Sequence, residues 1–124
     1  MKKIVIADDE SPIRDMLKER LEKQKFDVLT ASDGQEAFII CKNHLPDLVL
    51  LDIAMPVMDG YEACQKIKTD PRTRKIPVLF LTGKELNPDG IMKRCRDLCA
   101  DGHISKSSSL KELVDKITEA IKAA

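Results

Sequence analysis

The chain has 124 residues, with 21 lysines and arginines set against 21 aspartates and glutamates, so no basic excess marks a nucleic-acid surface and no acidic tail is present. That length suits one domain, expected over residues 1–124, which buries roughly two-thirds of its unfolded surface. The opening MKKIVIADDE offers only a short apolar run before two aspartates, too short for a secretory signal or a membrane span, so a cytoplasmic protein without membrane insertion is expected.

Short apolar runs rich in β-branched residues alternate with amphipathic stretches from end to end. A first strand is expected over residues 3–7 (KIVIA), and Ser11 ahead of Pro12 marks a helix start whose apolar positions Ile13, Met16, Leu17 and Leu21 share a face. A second strand over 27–31 (DVLTA) is followed by a helix that begins after Gly34 and ends before Pro46. The third strand, 47–51 (DLVLL), leads to a helix from near Met58 to Thr69. The basic stretch 70–76 reads as a solvated connection to a fourth strand, 77–81 (PVLFL). A helix over 88–99 precedes the fifth strand, 102–105 (GHIS). Ser109 and Glu112 then form a capping box for a last helix carrying Leu110, Leu113, Val114, Ile117 and Ile121 on one stripe.

The first, third and fourth strands are apolar at nearly every position, the pattern of central strands covered on both faces. Strict alternation with right-handed crossovers gives an α/β fold, a parallel sheet with helices on both sides. Cys41, Cys64, Cys95 and Cys99 have no CxxC pairing and only His44 and His103 to complement them, so they read as small buried hydrophobes in a reducing compartment, not as zinc ligands. Cys95 and Cys99, four apart, are expected to share a helix face.

Ligands of open α/β sheets gather at the carboxyl ends of the strands. Here the first strand runs into Asp8, Asp9 and Glu10, and the third runs into Asp52. Like charges 4 Å apart repel by about 4 kcal/mol at an effective dielectric near 20, so such a cluster calls for a hard dication or for protons. Magnesium suits it, because it takes a few oxygen ligands, keeps waters and completes its shell with a phosphate oxygen. Thr82 at the end of the fourth strand and Lys106 after the fifth add a hydroxyl and an ammonium at the same edge. Together they complement a phosphoryl group, leaving Asp52 as a nucleophile that would form a short-lived aspartyl phosphate.

These residues resemble the receiver domains of two-component response regulators over the whole chain. Residues 6–10 (IADDE) are similar to that family's acidic pair, 50–60 (LLDIAMPVMDG) to its phosphorylation segment, Thr82 to its hydroxyl and Lys106 to its lysine. The resemblance implies a flavodoxin-like (βα)5 doubly wound sheet with strand order 2-1-3-4-5. It implies that Asp52 accepts a phosphoryl group from a histidine kinase or histidine phosphotransfer protein, with Thr82 and Lys106 assisting. Magnesium would be held by Asp9 directly, Asp8 through water, Asp52 and the backbone carbonyl of Ala54. The family's switch pair falls on Thr82 and His103, and the positions that tune phosphate loss fall on Ala54 and Lys84. Phosphorylation would change the surface of the fourth helix, fifth strand and fifth helix, which binds a downstream protein. The expected product is a signalling domain, not an enzyme acting on other substrates, monomeric or weakly dimeric, with no direct nucleic-acid contact.

The chain departs from the family where Lys106 is followed by Ser107 in place of proline. A non-proline cis bond costs about 3–4 kcal/mol, so either a trans bond with an altered loop or a cis bond kept for function is expected. Ser107, Ser108 and Ser109 are expected to cap the last helix, His103 replaces the usual aromatic, and Gly83 should loosen the loop after Thr82. Three rivals remain open. A phosphatase of the haloacid dehalogenase type needs a carboxylate two residues past the nucleophile, where Ala54 stands, and a flavodoxin needs a phosphate loop where Asp8 and Asp9 would repel the ligand. The third is a degenerate receiver that docks partners without phosphorylation.

Overall fold

Apolar residues at successive strand positions point alternately to the two faces of a sheet, so a run such as LVLL must be covered on both sides. The computed structural model describes residues 1–83 and 88–124, and it satisfies that demand with five strands and five helices in strict alternation. In chain order these are β1 (Lys3–Ala7), α1 (Ser11–Lys23), β2 (Asp27–Ala31), α2 (Gly34–His44), β3 (Leu48–Asp52), α3 (Gly60–Thr69), β4 (Val78–Thr82), α4 (Pro88–Asp97), β5 (Gly102–Ser105) and α5 (Leu110–Ala123). All strand pairs are parallel, in the order β2-β1-β3-β4-β5. The fold is the α/β, flavodoxin-like arrangement expected above.

The core divides into two layers by strand parity. Val5, Ala7, Val49, Leu51 and Phe80 face α2, α3 and α4, packing on Ala37, Cys41, Ala63, Cys64, Ile67, Ile91 and Cys95. Ile4, Ile6, Leu48, Leu50, Leu79 and Leu81 face α1 and α5 through Leu17, Leu21, Leu113 and Ile117. Tyr61 of α3 meets Phe80 edge-on with ring centroids 5.1 Å apart, and the Arg94 guanidinium of α4 lies 4.3 Å from the Tyr61 centroid, tying α4 to α3.

Several boundaries differ from expectation for identifiable reasons. The β3 and β4 strands each begin one residue later and include Asp52 and Thr82 as their last positions. Asp47 is diverted because its carboxylate accepts the Lys3 N–H at 2.7 Å, and Pro77 has no N–H to give a ladder. Ser11 is the first residue of α1 and not its cap; Glu10 holds the N-cap position and its side chain makes no capping bond. Helix α3 starts at Gly60 because Asp59 caps it, accepting the Glu62 N–H at 2.8 Å.

The 70–76 connection is not simply solvated, since Thr73 is fully buried and its hydroxyl donates to the Ile67 carbonyl at 2.7 Å. Cys41, Cys64 and Cys95 are buried, and burial pushes the Cys41 and Cys64 thiols up to about 12. Cys99 is exposed instead, two residues past α4 with φ 59°, so it shares no helix face with Cys95.

At the amino edge of the sheet, Asp101 joins three elements. Its Oδ2 accepts the Val78 N–H at 2.8 Å and the Lys68 ammonium at 3.1 Å, while that ammonium also donates to the Ile76 carbonyl at 2.8 Å. Asp101→Ala leaves the Val78 N–H unpaired and should lower stability by about 1–2 kcal/mol, read as a lower urea midpoint at unchanged m-value. An unchanged midpoint would show that water replaces the carboxylate without cost.

Candidate functional site

Parallel pairing of β1 with β3, and of β3 with β4, brings the carboxyl ends of three strands to one edge. The β1–α1 turn carries Asp8, which is completely buried, and Asp9 and Glu10, which are exposed. Three bonds hold this turn: the Asp8 N–H donates to the Ala31 carbonyl at 3.1 Å, the Glu10 N–H to Asp8 Oδ1 at 2.9 Å, and Arg14 Nη1 to the Asp8 carbonyl at 2.8 Å. One carboxylate oxygen from each of Asp8, Asp9 and Glu10 lies within 4.8 Å of the others. Asp52, only 6% exposed, ends β3 beside them.

Lys106 enters from beyond β5 and bridges the carboxylates. Its Nζ stands 3.1 Å from Asp8 Oδ2, 3.2 Å from Asp52 Oδ2 and 3.5 Å from Glu10 Oε1. Burial pushes the Asp52 carboxyl up to about 6, the Asp8 charge adds to this with a smaller part from Asp9, and Lys106 opposes it. Burial also pulls Lys106 down, but its contacts with Asp8 and Asp52 outweigh that and hold the ammonium above its usual range. The ammonium is therefore charged at neutral pH. A cleft of about 530 Å³ opens over the group, lined by Asp9, Glu10, Ile13, Asp52, Ala54, Gly83 and Lys106.

The expected site residues separate into those the fold gathers and those it does not. Asp8, Asp9, Asp52, Ala54 and Lys106 share the cleft region. Thr82 is buried at the same edge, but its hydroxyl points across the sheet to the Ile104 carbonyl, 3.4 Å away, and not toward Asp52. His103 lies outside the cleft, half-buried in a groove of about 420 Å³ with Met92, Arg96 and Lys116. Burial and then the Lys116 charge hold its imidazole below the usual value. Lys84 lies outside the described residues.

No cis peptide bond occurs among the described residues, so Lys106–Ser107 is trans. Of the three serines after Lys106, only Ser109 caps α5, accepting the Glu112 N–H at 3.2 Å. Glu10, which the sequence places in the acidic cluster but not among the metal ligands, lies 3.5 Å from Lys106 Nζ, and Arg14 was missed by sequence reasoning as a site member. Adjacency to Asp9 was a usable signal for Glu10, whereas nothing local in the sequence points Arg14 at the Asp8 carbonyl.

A doubly wound parallel sheet with an acidic, lysine-bridged cleft at its carboxyl edge defines a class of α/β proteins built around one charged crevice. Within that class the chain belongs to the response regulator receiver domain family, whose model matches residues 4–118. A response regulator receiver domain protein from Clostridium thermocellum is 30% identical with a TM-score of 0.88, covering 99% of this chain and 96% of that one. The N-terminal domain of a response regulator receiver protein from Methanoculleus marisnigri JR1 is 37% identical with a TM-score of 0.77, over 96% of this chain and 95% of its own. The fold is also that of the receiver domain of a sensor histidine kinase from Pseudomonas aeruginosa PAO1, at 23% identity and a TM-score of 0.87 over 98% of each chain; that structure has a magnesium ion coordinated in its active-site cleft. Among the described residues no helix is long and apolar enough to cross a membrane.

Proposed function

We propose that this receiver is a cytoplasmic phosphorylation switch in which Asp52 takes a phosphoryl group from the phosphohistidine of a histidine kinase or histidine phosphotransfer protein. The observation that carries this is one ammonium, Lys106 Nζ, placed 3.2 Å from Asp52 and 3.1 Å from Asp8 at the mouth of an open cleft. Asp52, with its carboxyl near 6, is mainly ionised at neutral pH and free to attack. An Asp52 oxygen forms the new bond to phosphorus, the phosphorus–nitrogen bond of the donor breaks, and its electron pair returns to the imidazole, which takes up a proton. Lys106 neutralises charge on the phosphoryl oxygens as they pass through the cleft.

The donor set fits magnesium. Asp8 Oδ2 is buried with the Lys106 ammonium, 3.1 Å away, as its close partner among the described residues, and Asp9 and Glu10 bring further oxygens within reach. Asp8, Asp9 and Asp52, with the Ala54 carbonyl at the cleft, would hold the ion, which supplies charge neutralisation for the phosphoryl group when bound. Glu10 joins this set as an addition to the sequence-based expectation. Thr82 is the element that moves: its hydroxyl would leave the Ile104 carbonyl for a phosphate oxygen. His103 would sense the vacated space from β5. The output is the groove between α4, β5 and α5, whose Met92, Arg96 and Lys116 would meet a downstream protein.

Magnesium-dependent labelling by a small phosphodonor tests the proposal. Wild type should take up one phosphate and Asp52→Asn none, with Lys106→Ala slower by about 10²-fold. A wild type that takes up no phosphate would instead mark a degenerate receiver that docks without phosphorylation.

A further inference from the structure

We infer that Ser105 is a positioning residue for the phosphotransfer proposed above, its hydroxyl fixing the turn that aims Lys106 at Asp8 and Asp52. The inference rests on that function.

Lysine has a flexible four-carbon stem, so the direction of its ammonium depends on how firmly its own backbone is set. The Lys106 N–H donates to the Thr82 carbonyl at 2.9 Å, extending the β4–β5 ladder by one bond. Immediately afterwards the chain turns, and the Ser108 N–H closes that turn onto the Ser105 carbonyl at 3.0 Å. Lys106 and Ser107 are its central residues. A turn of this kind leaves the N–H of its second central residue without a backbone partner. Ser105 supplies one: its Oγ accepts the Ser107 N–H at 3.2 Å and shares a hydrogen bond with Ser107 Oγ at 2.8 Å.

Helix capping does not account for these contacts, because the α5 cap is Ser109, paired with Glu112. Ser105 and Ser107 spend their hydroxyls on each other and on the backbone around Lys106. The same segment borders the site directly, for Ser105 and Ser107 line a hollow of about 220 Å³ with Thr82, Gly83 and Lys106. A hydroxyl staple thus constrains the turn that follows β5, with the Lys106–Ser107 bond trans.

The rate of magnesium-dependent labelling by a small phosphoramidate donor, measured in wild type, Ser105→Ala, Ser105→Thr, Lys106→Ala and the Ser105→Ala/Lys106→Ala double variant, decides the matter. Ser105→Ala should label about tenfold more slowly at an unchanged thermal midpoint, since small misplacements of a positioned group cost rate without costing the fold. Ser105→Thr, which keeps the hydroxyl, should restore the rate. In the Lys106→Ala background, Ser105→Ala should slow labelling no further, because the group it aims is gone. Wild-type speed in Ser105→Ala, or an equal slowing with and without Lys106, overturns the inference while leaving Asp52 as acceptor. Absence of labelling in wild type overturns both.

Discussion

Asp52→Asn is expected to make the metal-free protein more stable at neutral pH by about 2–3 kcal/mol, even as it removes the phosphate acceptor. The Asp52 carboxyl is only 6% exposed, and burial and the Asp8 charge raise it from the ordinary 3.8 to about 6. Ionising it in the folded state therefore costs more than ionising it in the unfolded chain. Well below pH 3.8 the carboxyl is protonated in both states and the variant gains nothing from losing the charge. As the pH rises through 6 the penalty grows, and above that it is complete. Asparagine keeps the shape and carries no charge, and Lys106 retains Asp8 and Glu10 as partners. Urea denaturation in chelator should show the gap between variant and wild type at about pH 7.5 and little of it at about pH 4. Magnesium should narrow it by stabilising the wild type, since a ligand that binds only the folded state adds to its stability. Equal midpoints at both pH values would mean that the Lys106 ammonium already cancels the strain.

Gly60→Ala should cost about 3 kcal/mol and disturb the loop that carries the acceptor. A Cβ at this position would run into the Asp52 carbonyl oxygen and stand 3.0 Å from both the Asp52 carbonyl carbon and the Ile53 Cα. Every one of these is backbone, so no side chain can swing aside. The approach is close because the Gly60 N–H donates to the Ile53 carbonyl at 2.8 Å, folding the start of α3 back onto the end of β3. Relief requires moving either α3, which is anchored by Ala63, Cys64 and Ile67 in the core, or the end of β3 itself. A lower thermal midpoint with slower labelling is the expected pair of results. A midpoint within error of wild type would show that the loop yields freely, contrary to the packing of α3.

Much of the fold was legible because it depends on local patterning. The parity of Ile4, Val5, Ile6 and Ala7 already sorts them onto two faces, and the runs in β3 and β4 already demand cover on both sides. The serine-glutamate box at the head of α5 was equally visible, since both partners lie within one turn. Boundaries failed where a distant group intervened, as when Asp47 is drawn to the Lys3 N–H across 44 positions of chain. Thr73 looked solvated because its neighbours are charged, and only the position of α3 shows that its hydroxyl has a buried carbonyl to meet.

The acidic cleft follows the same division. The strand order implied by the family resemblance, together with the parallel strand polarity, was enough to send Asp8, Asp9, Asp52, Thr82 and Lys106 to one edge. The sequence by itself determined which chemical groups are present there and at which strand ends. Only the tertiary structure decided that Glu10 reaches Lys106, that Arg14 holds the Asp8 carbonyl, that the Thr82 hydroxyl turns toward Ile104, and that a serine pair shapes the turn under Lys106. The reason is geometric: periodicity sets the face a side chain occupies, whereas a contact of 3 Å between residues as far apart as Asp8 and Lys106 depends on the path of two loops packed against separate strands.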